Sequence, residues 1–385
     1  MKSGKDSRSS AGSIEKVELT ALKSCRPASR LVGLIAAAVM LGAVSTAFAD
    51  HYQQANLVSD VTGLAPTTDV ALVNSWGLSR SATSPWWVAD NGAGVSTLYT
   101  GTGAPLPLIV TIPVPMGGTP PSTPTGTVFN GTNDFTVGPN QPARFLFDTE
   151  DGTLSGWNSA TGAVLKVDHS ATAVYKGLAI GQMNGANFLY AADFRGGAID
   201  VFDKDFNQVW LGAHAFSDKR IPKGFAPFNV QNINGMLFVT FAKQDAAKHD
   251  EVDGRGLGFV DVFDTAGTLQ MRLEWGPWLN GPWGVAWAPA AFGRFSNMIL
   301  IGNFGSGKIA AYDPKNGRFR GMVRGAHDQP LMIDGLWALG FGNDASAGPS
   351  TTLYFTAGID DEAHGLFGTI TNVPGGDGDH DADDR

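Results

Sequence analysis

Three tryptophans and a set of strand-end Asp and Asn residues are the parts of this 385-residue chain whose types and spacing could do chemistry. Trp76, Trp283 and Trp337 fall in similar strings, NSWGL, GPWGV and GLWAL. Indoles at equivalent places could line one mouth of a channel, where their faces pack against sugars, quinones or peptide side chains. The same residues suit a plainer role, filling the wedge between adjacent sheets. Asp193, Asn229 and Asn303 are the best-placed members of a polar set that includes Asp90, Asn91, Asp148 and Asp334. Their oxygens suit a hard cation such as calcium, and such an ion polarises a lactone or ester carbonyl. Asp and Asn at strand ends also cap turns through nearby backbone groups, which accounts for each of them singly.

Other chemistries leave no local trace. The chain has no G-x-S-x-G, no H-E-x-x-H and no phosphate-loop Gly-Lys-Ser/Thr, so nucleophile-elbow, zincin and nucleotide-hydrolase readings have no support. Its seven His are scattered, with no two at metal-ligand spacing. Carboxylates alternate from Asp377 to Asp383 as in the first half of an EF-hand loop, but the second half is missing. A solvated acidic tail is expected there. Residues 244–256, QDAAKHDEVDGRG, form the longest and most charged insertion, expected to be a flexible solvated loop.

The elements that must position these residues repeat. A short apolar strand ending in a small or polar residue recurs six times, as PWWVAD, RFLFD, NFLYAAD, MLFVTFA, MILIGN and TLYFTAG. Each is followed, across a Gly- or Asp-rich turn, by a second strand such as GAIDVFD, GFVDVFD or GKIAAYD. An inner-strand candidate precedes most pairs (SWGLSRS, KGLAIGQ, PFNVQNI, PWGVAWA, GLWALGF), and is weakly marked as TGTVFN in the second unit. Fourth strands follow, as in LPLIVTI, AVLKVD, TLQMRLE and RFRGMV. Four antiparallel strands per unit predict an all-β, six-bladed β-propeller. The sixth unit stops at Ile370 without a fourth strand, while residues 52–59, YQQANLVS, lack a partner. Pairing them as the outermost strand beside residues 364–370 closes the ring through the chain ends and removes open sheet edges.

The strings VNSWGLS, FDTEDGTLSGWN, APFNVQNINGMLFVTFA, PWGVAWAPAAFGRFSN, GNFGSGKIAAYD and GLWALGFGN resemble the successive motifs of a family of secreted bacterial conserved hypothetical proteins. The resemblance spans nearly all of residues 52–370. It implies a TolB-like or NHL-like six-bladed propeller and no particular activity. Some members carry a C-terminal PEP-CTERM sorting signal, from which the ending GGDGDHDADDR departs. Propellers resembling the gluconolactonase group hold a divalent ion in the channel, but their glutamate near the chain start has no counterpart among residues 50–80.

Composition agrees with a β-rich globular protein. Fifty Gly among 385 residues exclude a coiled coil or helical bundle, and 10% aromatic with 16% charged residues exclude a disordered chain. A basic stretch ending at Arg26 and Arg30, the apolar run from Leu31 to Val44 and Ala47-Phe48-Ala49 read as a secretory signal over residues 1–49. Its removal takes seven of the 27 Lys/Arg and three of the 36 Asp/Glu, leaving 20 against 33. That surplus of negative charge repels nucleic acid and anionic lipid. The single cysteine, Cys25, leaves with the signal. The expected organisation is a signal (1–49), a propeller (50–370) with no membrane span, and a disordered acidic tail (371–385). The expected role is a secreted or periplasmic binding or scaffolding module for a small molecule, glycan or protein. The alternative is a divalent-cation-dependent hydrolase or lactonase with its site in the channel.

Overall fold

Successive side chains of a strand point to opposite faces, so a strand apolar at every position must lie between two neighbours. Trp86–Asp90 shows the result: all five residues are buried, with Trp86 against Tyr354 on one face and Trp87 against Phe145 on the other. The computed structural model describes residues 51–374. The expected signal and residues 375–385 of the expected tail lie outside them.

Six antiparallel sheets form the blades. Their inner strands are Ser75–Ser79, Pro124–Phe129, Tyr175–Met183, Phe225–Ile233, Pro282–Trp287 and Leu336–Phe341, numbered blades 1 to 6 in that order. Each inner strand contacts the next, and that of blade 6 contacts that of blade 1, which makes a closed ring. The apolar core is divided accordingly. One buried cluster fills each of the six blade interfaces, and a seventh, around Trp76, Trp283, Trp337, Phe194 and Phe228, lies on the axis. Among the described residues no helix is long and apolar enough to cross a membrane.

The ring closes as the strand count requires. His51–Ser59 pairs antiparallel with His364–Val373, from His51 opposite Val373 to Ser59 opposite Leu366. Two details differ from the expectation. The N-terminal strand is not outermost, because Thr67–Thr68 adds a short parallel strand beside Val58 and Ser59. The last strand also runs three residues beyond Ile370, since His51–Gln53 supplies partners for residues 371–373. Tyr52 ties this strand to blade 5: its hydroxyl donates to the Phe292 carbonyl (2.7 Å) and accepts from the Phe295 N–H (3.1 Å). Blade 3 has its fourth strand too, Gln208–Val209, two residues too short to show as a pattern.

Every inner strand breaks register near its start. In blade 1 Ser75 lies opposite Asp90 and Leu78 opposite Val88, so Trp76 and Gly77 are thrown out of the ladder. The same bulge holds Thr125-Gly126, Lys176-Gly177, Trp283-Gly284 and Trp337-Ala338. Bulges re-aim a side chain, and here they turn Trp76, Lys176, Phe228, Trp283 and Trp337 toward the axis, while Thr125 of blade 2 bonds Asp148 and the Tyr175 carbonyl. In blades 1, 2, 3 and 5 glycine follows, because the next blade is close. A Cβ on Gly77 would stand 2.4 Å from the Thr125 carbonyl oxygen, and one on Gly126 would stand 2.5 Å from the Leu178 nitrogen.

Candidate functional site

The bulge residues meet on the axis. Trp76 stacks on Trp337 with ring centroids 3.5 Å apart, and Trp283 stands edge-on to both at 6.1 and 5.8 Å. Phe304 stacks on Trp337 at 4.0 Å and Phe228 tilts against it at 5.9 Å. Trp76, Trp283 and Trp337 therefore do come together, as their spacing suggests. They are 2%, 4% and 0% exposed, so they plug the channel and form the floor of its mouth.

The third blade places Lys176 at the bulge position where three other blades place Trp. Its ammonium lies 5.1 Å over the Trp76 ring and 5.8 Å over Phe194. The side chain is 1% exposed and reaches Glu150 Oε1 at 2.5 Å and Asp250 Oδ1 at 3.3 Å. Its carbonyl accepts from Trp283 Nε1 at 2.8 Å, which locks floor and lysine together. Burial opposes the charge, yet attraction to Glu150 and Glu251 and the hydrogen bond to Glu150 prevail and hold the ammonium above its ordinary pKa.

Around this cation stand carboxylates from the turns that follow the second strands. Glu150 comes from blade 2, Asp250 and Glu251 from blade 4, and Glu362 from blade 6. Asn74, a buried residue at φ +46°, joins them to the floor. Its Oδ1 accepts from Trp76 Nε1 (3.0 Å) and Trp337 Nε1 (3.2 Å), while its Nδ2 donates to Glu362 Oε2 (2.6 Å) and Asn91 Oδ1 (3.3 Å). Asn91 Nδ2 in turn donates to Glu150 Oε2 at 2.8 Å. Asn and Asp accept left-handed backbone more readily than other side-chain-bearing residues, which fits Asn74 to its place.

The carboxylates fall into two electrostatic classes. Burial would raise the pKa of Asp250, but Lys176 and His249 outweigh it and hold the group below the usual carboxylate range. Glu251 goes the other way: burial, reinforced by Glu362 and Asp253 and opposed by Lys176, pushes it up to about 8. Glu362 is raised by burial and by the nearby Glu150 and Asp250 charges, against the Asn74 hydrogen bond and the pull of Lys176. One ammonium thus faces more carboxylate than it neutralises.

Residues 244–256 are folded over this mouth, contrary to the flexible loop expected. Gln244 Nε2 donates to the Phe194 carbonyl at 2.5 Å, the Gly254 N–H donates to Asn280 Oδ1 at 2.6 Å, and Asp250 is held by Lys176. One ion pair and two uncharged hydrogen bonds attach it.

The calcium candidates occupy other positions. Asp193 Oδ1 accepts from the Val174 and Gly196 N–H groups at 3.2 and 2.9 Å. Asn229 accepts from its neighbour Val230 and donates to the Trp283 carbonyl at 2.8 Å. Asn303 accepts from the Asn280 N–H at 2.9 Å and donates to the Lys308 carbonyl at 2.9 Å. Among the described residues no hydrogen bond joins one of the three to another. Asp90, Asp193 and Asn303 share one repeat position, the last residue of the second strand, so blade rotation distributes them around the ring; in blade 2 that position is Thr149, and Asp148 stands one residue before it. Asp90 and Asp148 likewise receive the backbone N–H groups of Thr97 (2.9 Å) and Gly126 (2.6 Å). Asp334 accepts from the Asp360 N–H in an exposed turn. Of the polar set, Asn91 alone joins the Lys176 network.

Glu150, His249 and Asp250 place one ligand atom each within 4.8 Å of one another, a spacing that could hold a metal ion. Glu150 and Asp250 are, however, both bonded to Lys176 Nζ, so the lysine ammonium already stands at their shared centre. The signal that identifies Lys176 in the sequence is its alignment, KGLA beside WGLS and WGVA. Glu150, Glu251 and Glu362 have no such signal.

No family model matches the chain. Uncharacterized protein L690 of Acanthamoeba polyphaga mimivirus is 32% identical over 332 residues, covering 82% of this chain and 84% of its own. Uncharacterized protein R648 of the same virus is 30% identical over 331 residues, covering 82% and 78%. These relatives are viral and lend no support to the expected bacterial, PEP-CTERM-associated grouping. Among solved structures, a protein of unknown function from Bacteroides thetaiotaomicron is similar at a TM-score of 0.53 and 10% identity, over 84% of this chain and 76% of its own. A streptogramin B lyase structure is similar at a TM-score of 0.48 and 12% identity, over 84% and 98%. The first likeness shows the propeller fold alone.

Proposed function

The chain belongs to the family of the mimivirus proteins L690 and R648, and from the mouth that its own residues build we propose that it is a binding module for a ligand bearing an ammonium or guanidinium group. The observation that carries this reading is the charge balance on the aromatic floor: carboxylates from three blades converge on one buried ammonium and exceed it. A second cation settling between Glu251 and Glu362 takes the place of the proton that burial holds on Glu251, and partial desolvation makes each charge-assisted hydrogen bond stronger than it is in water. We also propose export of the module, on the apolar run Leu31 to Val44 and the Ala47-Phe48-Ala49 site.

The test is thermal unfolding in n-butylammonium chloride against n-butanol. The ammonium raises the melting temperature, the alcohol does not, and Glu251→Gln combined with Glu362→Gln removes the difference. Equal effects of the two probes on the unmodified protein overturn the reading. The alternative, metal-assisted hydrolysis in the channel, draws on the spacing of Glu150, His249 and Asp250 and requires a divalent ion to displace Lys176. Its mark is stabilisation by calcium chloride that Glu150→Gln abolishes. At 100 times its dissociation constant a bound ion stabilises the fold by about 2.7 kcal/mol.

A further inference from the structure

Beyond the aromatic plug, at the other end of the channel, lies a chamber of about 440 Å³ to which all six inner strands contribute. That volume falls within the range of small-molecule sites, roughly 300 to 1,000 Å³. Its apolar wall is made by Leu78, Leu178, Leu339, Phe129, Phe341 and Trp287, the last 37% exposed. Arg80 is the one ionisable residue lining it; no Asp or Glu does. The two ends of the channel therefore have opposite chemistry.

Two polar groups of the chamber, Arg80 and Trp86, can only donate, and the hydroxyls and amides beside them can donate as well as accept. Arg80 gives Nε to the Phe341 carbonyl (2.6 Å), Nη2 to the Gly342 carbonyl (2.8 Å) and Nη1 to the Ser81 carbonyl (3.4 Å). Its guanidinium lies 5.4 Å over the Trp86 ring, and Asp344, outside the lining, is near enough to act on its charge. Those bonds fix the group and leave part of its five-donor fork unused. Trp86 also lines the chamber, and its buried indole N–H has no partner among the described residues. Ser79 and Thr127 share one hydrogen bond at 3.0 Å, which leaves one hydroxyl hydrogen to give. The Gln231 amide lines the same space and makes no side-chain hydrogen bond among the described residues. Unspent N–H groups on Arg80 and Gln231, with no carboxylate lining the wall, favour an acceptor that carries negative charge.

We propose that this chamber is a second binding site, for a small amphipathic organic anion: a carboxylate received by Arg80 on an aromatic or aliphatic body seated against Leu178, Phe129 and Trp287. The site is separate from the acidic mouth and does not depend on what binds there, since a cation suits one end and an anion the other.

Calorimetric titration with 3-phenylpropionate and with its neutral amide tests the assignment on the unmodified protein. The carboxylate binds saturably, at least tenfold more tightly than the amide. Arg80→Gln brings the two to equal affinity. Trp287→Ala, at a half-exposed position, weakens both probes at least fivefold and keeps the comparison available if the Arg80 variant fails to fold. No saturable binding of 3-phenylpropionate, equal affinity for its amide, or binding unaffected by Trp287→Ala overturns the proposal.

Discussion

Lys176 is worth more to this molecule than the two ion pairs it makes, because it is the counter-charge that lets Glu150 and Asp250 approach the aromatic floor. Lys176→Met keeps the side-chain volume and removes the charge, leaving two carboxylates facing each other in a half-buried site. Breaking a buried pair from one side costs about 3 kcal/mol or more, so the urea midpoint falls at pH 7. The sign of the pH effect follows. Against burial, Lys176 is the main group that holds Asp250 below its ordinary pKa, so the stability Asp250 draws from it is present above the carboxylate range and lost as the pH falls. The deficit of the variant therefore shrinks as the pH drops toward 4, and a deficit independent of pH contradicts the account. Glu251 gives a second test. Its pKa rises in the folded state from the ordinary 4.5 to about 8. Its contribution to stability is thus full below 4.5 and lost as the pH climbs through 8. Glu251→Gln removes that titration, so the melting temperature of the variant declines less between pH 5 and 8 than that of the unmodified protein. Parallel curves show that Glu251 is not protonated in the fold.

At the scale of the element, the inner-strand bulge and the closing strand carry the architecture. The bulge turns a β-strand, whose side chains face the neighbouring blades, into a device that also presents one side chain to the axis. The closing strand works at the rim: His51–Ser59 gives blade 6 a fourth strand and covers the edge of His364–Val373. A chain beginning at Gly63 exposes that edge and removes Tyr52 and Val58 from two interface cores. It should elute as aggregate in gel filtration, and a monomeric product with unchanged melting shows that closure by this strand is dispensable.

For the whole molecule, the division of the core matters most. Each cluster is shared by two blades, the ring has no free end, and the axial cluster touches most blades at once. No blade can open without exposing the faces of two others. Denaturant unfolding followed by tryptophan fluorescence and by far-ultraviolet circular dichroism should therefore give one coincident transition. Separate midpoints show that blades melt independently.

Blade number, most strands and ring closure were legible in the residues, because period-two alternation and turn chemistry act over a few positions; the two-residue strands Gln208–Val209 and Thr67–Thr68 were too short to show. The convergence of Trp76, Trp283 and Trp337 was legible for the same reason, as repeat-equivalent residues of inner strands. The tertiary structure decided the rest. Asn74 meets Glu362 across 288 positions of chain, and Lys176 meets Asp250 across 74. No local pattern marks those charges as partners. The carboxylates lie on turns of different blades, and only the rotation of one blade onto the next brings those turns to a common mouth. The same rotation spreads Asp193 and Asn303, alike in sequence position, to separate places around the ring, where backbone N–H groups take up the oxygens that a shared cation would need.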